Sequence, residues 1–259
     1  MRNLIGFFLF VFAFGTFQTL AGKPNVVFFL VDDLGWSDVG CYGSSFYETP
    51  HIDRLAKEGV RFTSGYAACH VCSPPRASIL TGKYPATMNL TEWLNGRSDR
   101  PYQLLLNPDK AMALDPKENT LAEVLKKEGY ATALFGKWHL GKGTSPPEHG
   151  FDLHVPHSVN SNLGRRGFYH PQKIPGLDGG EYVTDRLAEL AAIYIDDNKD
   201  KSFFLYMSHF SVHDPIHGRP DLVKKYRKKL ARMKPQLGPR LHSRRQSGQS
   251  DFSYSGRIG

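Results

Sequence analysis

Three unbroken runs of aliphatic and aromatic residues constrain this chain most. They are residues 25–31 (NVVFFLV), 131–135 (ATALF) and 203–207 (FFLYM). None alternates apolar with polar, so each is expected to be a strand covered on both faces, as in a parallel sheet. Segments with helical spacing lie between them. Residues 50–58 read as a short helix with Ile52 and Leu55 inward. Residues 76–81 read as a helix following a proline-rich turn and closed by Gly82. Thr120 caps a helix carrying Leu121, Val124 and Leu125 and ending at Gly129, and a longer helix from Thr184 carries Leu187, Leu190, Ala191 and Tyr194 on one stripe. Residues 60–62 read as another short strand. Strands alternating with helices imply an α/β fold, a mainly parallel central sheet flanked by helices. Ligands in such sheets sit beyond the C-terminal strand ends. Those ends carry Asp32-Asp33, then Lys137 and His139, then His209 and His213.

Composition supports a folded, exported protein. Of 259 residues 40% are hydrophobic, enough for a large core and unlike low-complexity or collagen-like chains. Arg2, an apolar run over residues 4–17 and Thr19-Leu20-Ala21 together read as a signal peptide, residues 1–21, cleaved before Gly22. The run is short for a membrane span and no stop-transfer pattern follows. Export to a periplasm or the extracellular space, with no stable membrane anchor, is therefore expected. The net charge of +8 is local, because ten Lys and Arg fall between Lys224 and Arg245. They read either as a surface for an anionic polymer such as a sulfated glycan or as a solvated helix face with a basic tail. No zinc-finger or RNA-binding motif points to nucleic acid as a partner.

The residues with chemistry are few. Adjacent carboxylates at a strand end, Asp32 and Asp33, repel unless a cation lies between them, and a hard divalent ion takes oxygen ligands. Residues 72–82 (CSPPRASILTG) present a thiol at a helix N-terminus, where the helix dipole and Arg76 would lower its pKa. Cys69 and Cys72 also form a C-x-x-C, and with Cys41 they make an odd cysteine count for an exported chain. Lys137 and His139, two apart on an extended segment, face one side and could clamp an anion.

The Cys72-x-Pro74-x-Arg76 motif, followed by Leu80, Thr81 and Gly82, resembles the signature of the formylglycine-dependent sulfatase family. Pro75 departs from the serine often found there. Further segments are similar to that family: Val31-Asp32-Asp33-Leu34-Gly35, Thr49-Pro50-His51-Ile52-Asp53-Arg54-Leu55, Gly59-Val60-Arg61-Phe62, Gly136-Lys137-Trp138-His139-Leu140-Gly141, His149-Gly150-Phe151-Asp152 and His213-Asp214-Pro215. The resemblance implies hydrolysis of sulfate esters, sulfated carbohydrates among them, after a formylglycine-generating maturation enzyme oxidises Cys72. It implies Ca²⁺, with Mg²⁺ as the alternative, held by Asp32, Asp33 and residue 72. One hydroxyl of the hydrated aldehyde attacks sulfur, and the second allows the sulfated intermediate to collapse. Arg76 and Lys137 neutralise charge, His139 contacts the second hydroxyl, and His213 protonates the leaving oxygen. His209 and His217 are nearby alternatives.

The resemblance covers about residues 25–239. Family members are usually longer, and their later Asp-Asn metal ligands and second sulfate-binding lysine have no counterpart after His213. Asp196-Asp197-Asn198 is a poor substitute, because it ends a helix ahead of the third strand. The catalytic domain, residues 22–239, is thus expected to be C-terminally truncated, with little or no turnover. The abnormal basic tail, residues 240–259, has no apolar period. Read one nucleotide forward, some codon choices turn it into a more family-like continuation. A frameshift near Pro239 and a natural short variant with a disordered tail are the two readings. Competing functions are a phosphonate or phosphodiester hydrolase of the same superfamily and a non-catalytic sulfated-glycan-binding remnant.

Overall fold

The computed structural model describes residues 22–156, 168, 174–176 and 180–233. The expected signal peptide and basic tail lie outside the described residues. Four strands, β1 (Val26–Leu30), β2 (Ala131–Gly136), β3 (Leu153–Val155) and β4 (Phe203–Ser208), form one sheet in the order β1-β4-β2-β3, with every pairing parallel. Among the described residues five α-helices accompany it: α1 (Pro50–Glu58), α2 (Ser73–Thr81), α3 (Leu121–Lys127), α4 (Val183–Asn198) and α5 (Pro220–Met233). No helix among the described residues is long and apolar enough to cross a membrane.

The unbroken apolar runs have the expected consequence in the two central strands. On β4, Phe203, Leu205 and Met207 face a core completed by Val183, Leu187 and Ala191 of α4. Phe204 and Tyr206 face the opposite core, which Ala77 and Leu80 of α2 and Ala122 of α3 share with Trp138 and Phe151. Adjacent side chains of one strand thus feed two separate cores, which is why these runs carry no charged residue.

Helix ends follow their local signals. The Thr120 side chain accepts from the Glu123 backbone N–H at 3.2 Å, and Glu123 reaches back to the Thr120 N–H at 2.8 Å, a complete capping box. Gly129 follows that helix at φ +84°, and Gly82 closes α2 in the left-handed conformation.

Several expectations are corrected. β1 is not covered on both faces: it is an edge strand of the described sheet, and Val27 and Phe29 are exposed, Phe29 by 63%. Residues 60–62 form no strand, and Val60 and Phe62 are exposed. α1 forms where expected, but Ile52 and Leu55 are 43% and 70% exposed rather than inward. Its position rests on polar bonds instead. Asp53 accepts from the Cys41 N–H at 2.7 Å and from Thr49 Oγ1 at 3.0 Å. Val124 of α3 is likewise exposed.

The contrast between β1 and β4 gives a stability prediction. Phe204→Ala removes a fully buried ring packed on Phe151 and is expected to cost about 3–5 kcal/mol in urea unfolding. Phe29→Ala is expected to cost no more than about 0.5 kcal/mol. Similar losses for the two would mean that the outer face of β1 is covered in solution.

Candidate functional site

Register brings the strand ends together. Ser208, the last residue of β4, pairs with Leu30 at the end of β1 and with Gly136 at the end of β2. Pairing continues past the strands: the Asp32 N–H donates to the Ser211 carbonyl at 2.8 Å, and the Val212 N–H donates back to Asp32 at 2.6 Å. Asp32, Lys137 and the loop leading to His213 therefore leave the sheet side by side.

Asp32 is buried and shared by two cations. Arg76 Nη2 lies 3.1 Å from one carboxylate oxygen, and Lys137 Nζ bonds the other. Burial opposes its charge, but Arg76 and Lys137 outweigh that and hold the carboxyl below the usual range. Arg76 Nη1 also donates to the Lys137 carbonyl at 3.0 Å and to Ser208 Oγ, and Ser208 Oγ donates to the same carbonyl at 2.6 Å. Lys137 is thus fixed at both its backbone and its side chain.

Gly136 makes this approach feasible. Its φ is +112°, and a Cβ there would lie 1.9 Å from the Ser208 carbonyl oxygen. That carbonyl accepts from the Lys137 N–H at 2.7 Å. Among the described residues, two of the three non-glycine positions with positive φ also stand here, Asp33 at 59° and His139 at 58°. Such conformations persist only where the surroundings over-determine them.

Cys72 is the N-cap of α2, and its side chain makes no cap bond. Its sulfur, an Asp32 oxygen and a His213 ring nitrogen lie within 4.8 Å of one another. Burial opposes ionisation of the thiol, but hydrogen bonds with His139 and His213 outweigh it and bring the pKa down to about 6. The bond with Cys72 in turn raises His213 to about 9. His213 Nδ1 donates to the Asp214 carbonyl at 2.8 Å, and its Nε2 lies 3.8 Å from an Asp33 oxygen. His139 Nε2 donates to the Leu94 carbonyl at 2.5 Å.

Cys72, Arg76, Lys137, His139, His213 and Asp32 therefore meet at one place. Asp33 stands at its rim, half exposed and turned towards His213. His209 is buried and stacked on Phe29, and burial lowers its pKa. His217 uses its carbonyl to accept from Tyr182. Neither joins the cluster. Cys41, Cys69 and Cys72 are free thiols, and Cys69 lies 4.0 Å from His70 outside the cluster. Asp196, Asp197 and Asn198 end α4 just before β4 begins, whereas the site lies beyond the C-terminal end of β4. His149 is structural: it bonds Thr144 at 2.6 Å, and Trp138 packs against its ring.

Ser208 and the Leu94 carbonyl were not anticipated. Ser208 was findable, as a polar residue ending an apolar run like the other strand-end residues. The Leu94 carbonyl carries no sequence signal, since any residue offers one.

The donors fit a hard cation in part. The group that converges within 4.8 Å is Asp32, Cys72 and His213, while Asp33 adds a carboxylate only at the rim. Oxidation of Cys72 to an aldehyde hydrate would replace sulfur with oxygen, the atom such ions select.

The geometry agrees with comparisons to known proteins. The family model for sulfatases matches residues 24–246. Human arylsulfatase A is 34% identical over 226 residues, covering 76% of this chain and 42% of its own length. N-acetylgalactosamine-6-sulfatase of Rattus norvegicus is 44% identical over 217 residues, covering 75% of this chain and 40% of its own. A solved structure holding its substrate D-glucosamine-2-N,6-O-disulfate superposes with a TM-score of 0.59 at 26% identity, covering 80% of this chain and 38% of that one. The chain spans well under half the length of these curated relatives. With a match across residues 24–246 and the strand-end residues gathered around Cys72, this chain belongs to the sulfatase family.

Proposed function

We propose that this chain hydrolyses sulfate esters at residue 72, with sulfated carbohydrates as the substrate class. The observation that carries the reading is the placement of Cys72, against His213, His139 and Lys137 at a helix N-terminus. A nucleophile, proton-transfer groups and a fixed cation converge on one point, as displacement at an anionic centre requires. The carbohydrate class is supported by the relative named for N-acetylgalactosamine-6-sulfate and by the structure that holds a glucosamine disulfate.

Formylglycine at residue 72, when hydrated, would supply an oxygen nucleophile with a second hydroxyl for release. A divalent cation, calcium in the first instance, would be held by Asp32, Asp33 and residue 72 and would supply positive charge beside that oxygen. Lys137 holds a sulfate oxygen from a position set by Asp32 and Ser208. Arg76 keeps the start of α2 in place through Asp32 and the Lys137 carbonyl. His139, oriented by the Leu94 carbonyl, accepts a proton at Nδ1. His213, oriented by the Asp214 carbonyl, presents Nε2 and donates a proton to the departing ester oxygen. Export through residues 1–21 would bring the site to extracellular or periplasmic glycans.

Calcium takes about six to eight oxygen donors. Turnover is expected to require both the cation and residue 72. The deciding measurement is sulfate release from 4-nitrophenyl sulfate by calcium-loaded protein made alongside a formylglycine-generating enzyme. Release that survives Cys72→Ala, or faster cleavage of 4-nitrophenyl phosphate, overturns the reading.

Peptide mass spectrometry of the same preparation is expected to show the residue 72 thiol replaced by a hydrazide-reactive aldehyde. An intact thiol from a competent host would contradict the assignment.

The unmodified chain offers a pH prediction. A thiol with a lowered pKa is deprotonated above about 6, while His213 keeps its proton up to about 9. The thiolate–imidazolium pair therefore exists between those limits. Alkylation of Cys72 by iodoacetamide should rise through pH about 6. In His213→Ala the midpoint should move up towards the ordinary thiol value of about 8.5. An unmoved midpoint would show that His213 does not act on residue 72.

A further inference from the structure

Helix α5 and Glu48 enclose a groove of about 570 Å³. It lies outside the cluster around residue 72, and α5 has no buried residue. Lys224, Lys225, Lys228, Lys229 and Arg232 line it. Their spacing of four residues along two adjacent rows puts all five cations on one side of the helix.

Two of them are structural. Glu48 binds Lys225 and also Lys229, the latter at 3.1 Å. Its backbone N–H donates to Tyr226 Oη at 3.0 Å, and Phe46, Tyr47 and Tyr226 pack together beneath. The helix is thereby pinned to the segment leading into α1. Asp221, the other acid of the groove, pairs with Arg219 at 3.0 Å. Lys224, Lys228 and Arg232 have no ion pair among the described residues. They repeat about every 6 Å along the helix, a row of about 12 Å with no acidic partner among the described residues.

We propose that this groove is a second binding site, which holds a sulfated glycan chain by its sulfate groups. Charge and shape both favour that occupant. Repeating sulfates on a polymer match a row of point charges, and lysine suits such groups without requiring two-pronged geometry. The aromatic residues nearby argue against single-stranded nucleic acid. Lys225 lies 5.5 Å from the Tyr226 ring centre and Lys229 6.0 Å from that of Phe46, so those faces are taken rather than open for base stacking. α5 begins seven residues after His213, so its first residue lies within about 25 Å of that histidine. The choice of a sulfated glycan over other polyanions rests on the hydrolytic reading above.

The test is fluorescence anisotropy of a labelled heparin hexasaccharide with the full chain, at low and at physiological salt. The triple variant Lys224→Gln, Lys228→Gln, Arg232→Gln keeps good helix formers and is expected to bind about tenfold more weakly. A control triple, Lys57→Gln, Lys127→Gln, Lys199→Gln, removes the same charge from exposed positions elsewhere and is expected to leave binding within about twofold. Both should keep the wild-type melting temperature and aryl sulfate turnover. Equal weakening by the two triples overturns the site. So does a desulfated hexasaccharide that binds as tightly, or a charge-matched DNA duplex that competes as well. Hexasaccharide binding that maps to α5 without any aryl sulfate turnover would leave the site standing and remove the hydrolytic reading. Turnover with hexasaccharide affinity unchanged in the α5 variant would do the reverse.

Discussion

A single buried carboxylate organises the catalytic edge of this sheet. Asp32 could not stay ionised in the interior alone, because transfer of an unpaired charge out of water costs many kcal/mol. It stays ionised because Arg76 and Lys137 meet it from α2 and from the end of β2. Each cation has the same difficulty and the same solution. Removing one member of such a group generally costs about 3–5 kcal/mol, since the others are left without a counter-charge. The triad therefore ties three separate stretches of chain into one arrangement, and Cys72 takes its place as a consequence.

Around that triad the backbone does the fine positioning. Ser208, in register with both Leu30 and Gly136, bridges Arg76 to the Lys137 carbonyl. Gly136 allows β2 and β4 to come close enough for this, where any side chain would collide with Ser208. Trp138 turns into the core beneath α2 and α3 while its neighbours Lys137 and His139 face the site. Trp138 thus anchors the segment in the core, and the two residues that flank it serve the site. Asp33 and His139, both in left-handed conformations, stand beside this network.

Much of this was legible residue by residue. The two central strands were readable because their runs feed two cores at once. The proline turn, Thr120 and Gly82 marked helix ends through chemistry that acts within a few residues. Other readings failed where the decisive partner is distant. β1 has the composition of a central strand, yet the described sheet places it at an edge. Ile52 and Leu55 have helical spacing, but α1 is held by Asp53 and Thr49 and leaves them in solvent. β3 is three residues long and carries no pattern to detect. At the site, Cys72, Arg76, Lys137, His139 and His213 were found through motif resemblance. Strand-end polarity alone had left His209 as open as His213.

The sequence by itself determined the class of fold and the strand ends as the place where polar side chains gather, and motif resemblance marked Cys72 as the candidate nucleophile. Those depend on local rules: which runs can be buried, which residues cap helices, and which residue types react. Only the tertiary structure decided which histidine reaches residue 72, which carboxylate is buried between cations, and that Ser208 belongs to the network. Those outcomes depend on strand register and on electrostatics between groups tens to hundreds of residues apart, and such distances exist only once the chain has folded.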